Sequence, residues 1–216
     1  MTNLLLATRN AHKTREVQNI LGSEFNVCDL LAYPEISEIR EGGTSFEENA
    51  TLKAVTASKK LPYLLIADDS GLEVDALGGA PGIYSARYAG AGATEEQKID
   101  KLLRELARVG APDQARRARF RCVVALAING NLLETFEGIA EGMIADEPRG
   151  AWGFGYDPIF IPEGFEQTFG ELPAEVKNRI SHRAKAIRAL AGKLRRLELS
   201  YGPGGGGAAG GGAGPV

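Results

Sequence analysis

Apolar residues in the first third of the chain come in short unbroken runs, separated by stretches with helical spacing. Leu4-Leu5-Leu6, within Asn3 to Thr8, reads as a strand covered on both faces, where unbroken apolar runs belong. Arg9-Asn10 makes a turn, and Val17, Ile20 and Leu21 share one face of a helix that runs to about Leu21. Phe25 to Leu30 predicts a second strand, and residues 31–44 a polar loop rich in Glu. Ser45-Phe46-Glu47-Glu48 is a capping box that opens a helix to about Lys60. Tyr63-Leu64-Leu65-Ile66-Ala67 then predicts a short buried strand ending in Asp68-Asp69-Ser70-Gly71, with Leu72–Leu77 as a separate strand beyond it.

The later pattern differs. Thr94-Glu95-Glu96-Gln97 is a second capping box, and Ile99, Leu102, Leu103 and Leu106 form the stripe of an amphipathic helix. Phe120, Cys122, Val124, Leu126 and Ile128 alternate as one face of a strand. Asn129-Gly130 is a hairpin turn signal, Leu132 to Gly138 the return strand, and strand-like sequence continues to Ile144. Gly150 to Gly155 is a glycine and aromatic loop, Ile159–Ile161 a short strand, and Ile187, Leu190, Ala191, Leu194 and Leu197 mark a last helix. Early β–α alternation followed by a meander predicts an α/β fold with a mixed sheet and two lobes beside a groove.

Composition narrows the class. The chain has 216 residues, and from Gly202 onward it is Gly, Ala and Pro up to the final Val, which predicts a flexible tail over 201–216 behind one domain at 1–200. A net charge of −3 gives no electrostatic case for a nucleic acid or an anionic membrane as partner. Cys28 and Cys122 both lie in apolar strand-like runs and read as small buried hydrophobes in a reducing compartment. With no basic and apolar leader, and Val123 to Ile128 as the longest apolar run, the default expectation is a cytoplasmic protein.

Four constellations carry candidate chemistry. Thr8-Arg9-Asn10-Ala11-His12-Lys13 stands at a strand-to-helix turn, where unpaired N–H groups and the helix dipole favour an anion; its plainer reading is a capped helix with an exposed lysine. Asp68-Asp69 ends a buried strand, where ligands and metals bind in open α/β sheets. Strand alternation sends the two carboxylates to opposite faces, so one of them meets the cleft, and Glu38, Glu41, Glu47 or Glu48 could add an oxygen ligand for magnesium. Trp152-Gly153-Phe154-Gly155-Tyr156-Asp157 sets an aromatic between glycines, suited to stacking on a base or to a packed turn. In Lys177 to Arg183, Lys177 and His182 stand about 140° apart on a continuous helix, so a break with Ser181 as the next N-cap is expected. That break leaves His182, Arg183 and Lys185 as positive charge against a helix N-terminus, which asks for an anion or carbonyl oxygen nearby. The basic run Arg116 to Arg121 reads mainly as a solvated strand face.

The segments ATRNAHK, FEENATLKA, ADDSGLEVDALGGAPGIYSARYAG, GFGYDPIF and KNRISHRAKA, in that order, resemble the Ham1/inosine triphosphate pyrophosphatase family over nearly all of residues 3–195. The resemblance implies an elongated mixed α/β fold with two lobes around a central cleft, and a homodimer. It implies Mg²⁺-dependent hydrolysis of ITP, dITP or XTP to the monophosphate and pyrophosphate. By position, Thr8, Arg9, Asn10, Ala11, His12 and Lys13 would hold the triphosphate, Asp69 would be metal ligand and general base, Glu41 a second metal ligand, and Ser70 a substrate contact. Phe154, Gly155, Tyr156, Asp157, Lys177, His182 and Arg183 would bind the nucleoside. Arg9 stands where many members carry Gly, and Ile39-Arg40-Glu41 where many carry two adjacent acids. Two other functions stay in view: a Maf-type pyrophosphatase for other modified nucleotides, and a non-catalytic nucleotide sensor.

Overall fold

A computed structural model describes residues 2–37, 39, 41–61, 63–110 and 116–201. The Gly/Ala-rich stretch 202–216, Glu38 and Arg40 lie outside the described residues.

Six strands make one mixed sheet in the order β2-β1-β3-β4-β5-β6. They are β1 (Thr2–Leu6), β2 (Phe25–Asp29), β3 (Leu65–Val74), β4 (Arg117–Ile128), β5 (Asn131–Ile144) and β6 (Phe160–Pro162). β1 runs parallel to β2 and β3, and the β3-β4-β5-β6 part is antiparallel. Among the described residues five α-helices cover the sheet: α1 (Ala11–Leu21), α2 (Phe46–Ser58), α3 (Glu95–Arg108), α4 (Ala174–Ile180) and α5 (His182–Tyr201). Both predicted N-caps open helices, but only one predicted capping box closes: Thr94 and Gln97 bond reciprocally, whereas Ser45 accepts the Glu48 N–H and the Glu48 carboxylate reaches back to Thr44 instead of to the Ser45 N–H.

The unbroken apolar runs are buried on both faces. Leu4, Leu6, Ile66, Val124 and Leu126 pack on one face against Val17 and Leu21 of α1 and Ile187, Leu190 and Leu194 of α5. Leu5, Leu65, Ala67, Val123 and Ala125 pack on the other against Phe46, Ala50, Ala54 and Ala57 of α2. A third cluster joins Leu72, Val74, Phe120 and Phe160 to Ile99, Leu102 and Leu106 of α3, forming the second lobe. Each fully buried Leu, Ile or Phe contributes about 1.5–3 kcal/mol, so the three clusters hold both lobes onto one sheet.

One predicted boundary is wrong. The acids do not end a short strand: Asp68 and Asp69 lie inside the ten-residue β3, opposite Val124 and Val123, and the expected break before Leu72 is absent. β4 is long enough to pair β3 throughout. β1 reaches only Leu65 and Ile66, so beyond residue 66 the other edge of β3 is free of a strand partner. The acids therefore still sit just past the carboxyl end of the parallel pair. Gly71 keeps the strand compatible with its cover: a Cβ there would come within 2.3 Å of the Gly82 carbonyl oxygen and 2.6 Å of Ser85 Oγ.

Cys28 is a second correction. It is exposed, because β2 is the sheet's edge strand, whereas Cys122 in β4 is buried as expected, with burial pushing its thiol up to about 12. Among the described residues no helix is long and apolar enough to cross a membrane.

Candidate active site

The cleft is built from β3 outward. Alternation sends Asp69 to the α2 side, where Asn49 Nδ2 donates to its Oδ2 (3.1 Å) and Lys53 Nζ to its Oδ1 (3.0 Å). Lys53 Nζ also donates to Glu41 Oε1 (2.9 Å), and Arg87 to Glu41 Oε2 (3.1 Å), so one ammonium gathers two carboxylates. Burial raises the Asp69 carboxyl, Lys53 opposes that, and the Glu41 charge adds to the rise, leaving it above the ordinary value. Lys53 and Asn49 lie one helical turn apart on α2, inside the FEENATLKA run, and sequence reasoning gave neither a role; the spacing of four was the available signal.

Asp68 faces the α1 and α5 side. Lys13 Nζ donates to its Oδ1 (3.0 Å) and Arg183 Nη2 to its Oδ2 (3.0 Å); Arg183 Nη2 also reaches Ser70 Oγ (2.9 Å). Its side chain is 1% exposed against 9% for Asp69. Burial alone would raise it, but Lys13 and Arg183 hold it well below the carboxylate range.

Glu16, another residue without a role in the sequence reading, accepts from both Lys177 Nζ (2.6 Å) and Arg183. Lys177 Nζ also donates to Asp157 Oδ2 (2.6 Å), which accepts the Phe154 N–H (2.8 Å) and closes the glycine loop. The ammonium of Lys177 and the guanidinium of Arg183 lie 4.8 and 5.6 Å from the Phe154 ring centroid. Tyr156 is buried and donates its hydroxyl to the Ser85 carbonyl (3.0 Å).

The chain breaks before α5 as expected, with Ser181 Oγ accepting the Ala184 N–H (3.2 Å). The expected need for an external anion at this terminus is not met in that form. Arg183 is neutralised by Asp68 and Glu16, and Lys185 donates to the Ile139 carbonyl. His182 carries no charge: burial lowers its pKa well below the ordinary value, and Arg183 and Lys177 lower it further. Its ring stacks on Phe120 at 4.6 Å and 11°, and Nδ1 is buried with no partner.

At the first turn the structure matches the plainer reading in part. Asn10 Oδ1 caps α1 by accepting the His12 and Lys13 N–H groups (2.9 and 3.4 Å), and the Asn10 N–H bonds Thr8 Oγ1 (3.1 Å). Arg9 donates to the Ile36 carbonyl (2.6 Å), tying down the loop after β2. Lys13 is ion-paired rather than free. Glu47 and Glu48 serve elsewhere, Glu48 bonding Thr44 and Glu47 accepting from Thr135. Arg119 and Arg121 face Glu73, Glu137 and Glu141 across the sheet, so these two members of the basic run are neutralised on the strand face, while Arg117 is exposed.

Two adjoining cavities bring these groups together. One, of about 180 Å³, is lined by Asn10, Lys13, Glu41, Asp69, Ser70, Phe154, Gly155, Tyr156, Asp157, Lys177, His182 and Arg183, with Lys98 and Glu95 of α3. The other, of about 160 Å³, shares Lys13 and Glu41 and adds Thr8, Arg9, Lys53 and Asp68. Of the sequence-predicted residues, Ala11 and His12 line neither, although the His12 ring lies 5.6 Å from that of Phe154. A larger groove of about 850 Å³ opens on the α2 side, but its Arg121 is already paired with Glu73 and Glu137.

Comparison with known proteins gives a consistent picture. The model of the Ham1 family matches residues 4–193. A protein of Shouchella clausii named dITP/XTP pyrophosphatase is 50% identical over 190 residues, covering 88% of this chain and 95% of that one. One of Bacillus subtilis with the same name is 46% identical over 192 residues, covering 88% and 96%. The solved structure of a HAM1 protein from Coxiella burnetii has a TM-score of 0.81 at 40% identity, covering 91% of this chain and all of that one.

Proposed function

The chain belongs to the Ham1 family, and we propose on that premise that it hydrolyses non-standard purine nucleoside triphosphates (ITP, dITP, XTP) to the monophosphate and pyrophosphate. The observation that carries this reading is His182. A neutral ring with an unpartnered buried nitrogen lines the same cavity as Asp69, Ser70 and Phe154. Buried polar groups nearly always find partners, and a nucleobase in this cavity would supply one.

Asp69 and Glu41 suit Mg²⁺. They are hard-oxygen carboxylates already gathered around one cation, Lys53. Among the described residues no cluster of three or more acidic, His or Cys side chains is placed to hold a metal. An ion held there would complete its shell from substrate phosphates and waters. When bound it would draw charge from the reacting phosphate.

The chain's own groups divide the work. Asp69, raised above the ordinary carboxylate pKa, accepts a proton from or orients the attacking water. Lys13, with Thr8, Arg9 and Asn10 on the phosphate side, offsets charge on the leaving pyrophosphate. Phe154 offers its ring to the base, backed by Gly155, Tyr156, Asp157 and Lys177. His182, with Arg183 fixed beside it by Asp68 and Glu16, donates to a 6-oxo group, and a 6-amino purine would leave the His182 donor unpaired, which disfavours ATP. A homodimer and a cytoplasmic place of action, on a free nucleotide pool, complete the reading.

Pyrophosphate release measured side by side with dITP, XTP, ITP, ATP, dUTP and dTTP tests it. The expected result is fast Mg²⁺-dependent release from the first three. Preference for the pyrimidine triphosphates, or tight ITP binding with no release, would replace this reading with the Maf-type enzyme or the sensor.

A further inference from the structure

Four cations line the cavity that holds Asp69, Ser70 and Phe154: Lys13, Lys177 and Arg183 on the sheet side, and Lys98 on α3. The first three are neutralised by carboxylates of the protein itself, namely the buried Asp68 and Asp157 and the half-buried Glu16. Lys98 is different. Its half-buried side chain has no hydrogen-bond or ion-pair partner among the described residues, and Glu95, one turn earlier on the same cavity wall, forms no ion pair with it.

Its position is also costly. Thr94 caps α3, so Lys98 stands at the start of the helix, where the dipole disfavours positive charge. Nothing in the packing of α3 calls for a lysine there, since the helix is anchored by Ile99, Leu102 and Leu106. Partial burial of an ammonium without a counter-charge is unfavourable in the empty cleft and is offset when an anion enters.

We propose that Lys98 is a substrate-binding residue that reaches across the cleft from the second lobe and pairs with the phosphate chain of the bound nucleotide. The inference rests on the triphosphate reading of the site. It assigns α3 a function: the second lobe supplies the charge that the internally neutralised cations of the first lobe cannot offer in full.

Steady-state hydrolysis of dITP by Lys98→Gln and Lys98→Arg, with inosine as a competitive inhibitor lacking phosphate, tests it. Lys98→Gln should lower kcat/KM roughly tenfold, the scale of one charge-assisted hydrogen bond, and leave the inhibition constant of inosine unchanged. Lys98→Arg should restore most of the loss, and the gap between wild type and Lys98→Gln should shrink as salt rises. An unchanged kcat/KM in Lys98→Gln, or an equal weakening of inosine, overturns the assignment while leaving the activity in place. Absence of dITP hydrolysis by the wild-type chain overturns both.

Discussion

Asp68 and Asp69 are neighbours in sequence and opposites in the structure. The Asp68 side of β3 is closed: Lys13 and Arg183 saturate the carboxylate, its pKa is driven down, and 1% of the side chain is exposed. The Asp69 side is open: Asn49 and Lys53 hold the carboxylate, Glu41 crowds it with like charge, and its pKa rises. Strand alternation makes both from one dipeptide. A carboxylate whose charge is already matched fixes side chains in place, and one whose charge is matched by a shared lysine and opposed by a second acid is primed to exchange that lysine for another cation. On this view the first acid builds the site and the second performs the chemistry.

The sharpest way to break this contrast is to remove each acid in turn. Asp69→Asn keeps the shape and the Asn49 contact but removes the charge. We expect turnover of dITP to fall by about 10³-fold or more, with nucleotide affinity by calorimetry within a few-fold of wild type and an unchanged urea midpoint. Near-normal turnover would take the base role away from Asp69.

Asp68→Asn should do the reverse. Arg183 would remain buried with only Glu16 opposite it, and breaking a buried pair costs about 3 kcal/mol. Equilibrium urea unfolding should show the loss. Turnover at a temperature where the variant is folded should fall far less than in Asp69→Asn. A stable but inactive Asp68→Asn protein would reverse the two roles.

How much of this was legible in the sequence follows from the same contrast. Local rules found what is local. Two helix N-caps, one of them with its full capping box, the break at Ser181, the Asn129-Gly130 hairpin and the separation of the two acids all stand as predicted. Long-range matters were not legible. The strand end after Ala67 was read from the poor β propensity of Asp-Asp-Ser-Gly, and the pairing with β4 overrides that propensity. Glu16 lies 161 residues from Lys177 and 167 from Arg183, so nothing in its own helix marks it as their shared partner. Cys28 sits in an apolar run, yet only the sheet order makes β2 an edge. The charge state of His182 was misjudged for the same reason: burial, which tertiary packing supplies, decides it.

That charge state gives the smallest effect and the finest probe of the closed side. His182 is neutral in the folded protein, whereas in the unfolded chain it takes a proton below about pH 6.5. A group that binds the proton only when unfolded destabilises the fold as pH falls below that value. The unfolding free energy should therefore drop by about 1.4 kcal/mol per pH unit from there, until the low folded pKa is reached. In His182→Phe the flat stack on Phe120 can persist while the titrating group is gone, so this slope should flatten between pH 6.5 and 5.5. Urea unfolding curves across that window provide the measurement. Parallel pH dependences for the two proteins would mean that the Asp68 side admits a proton at His182, and that its closure is less complete than its ion pairs imply.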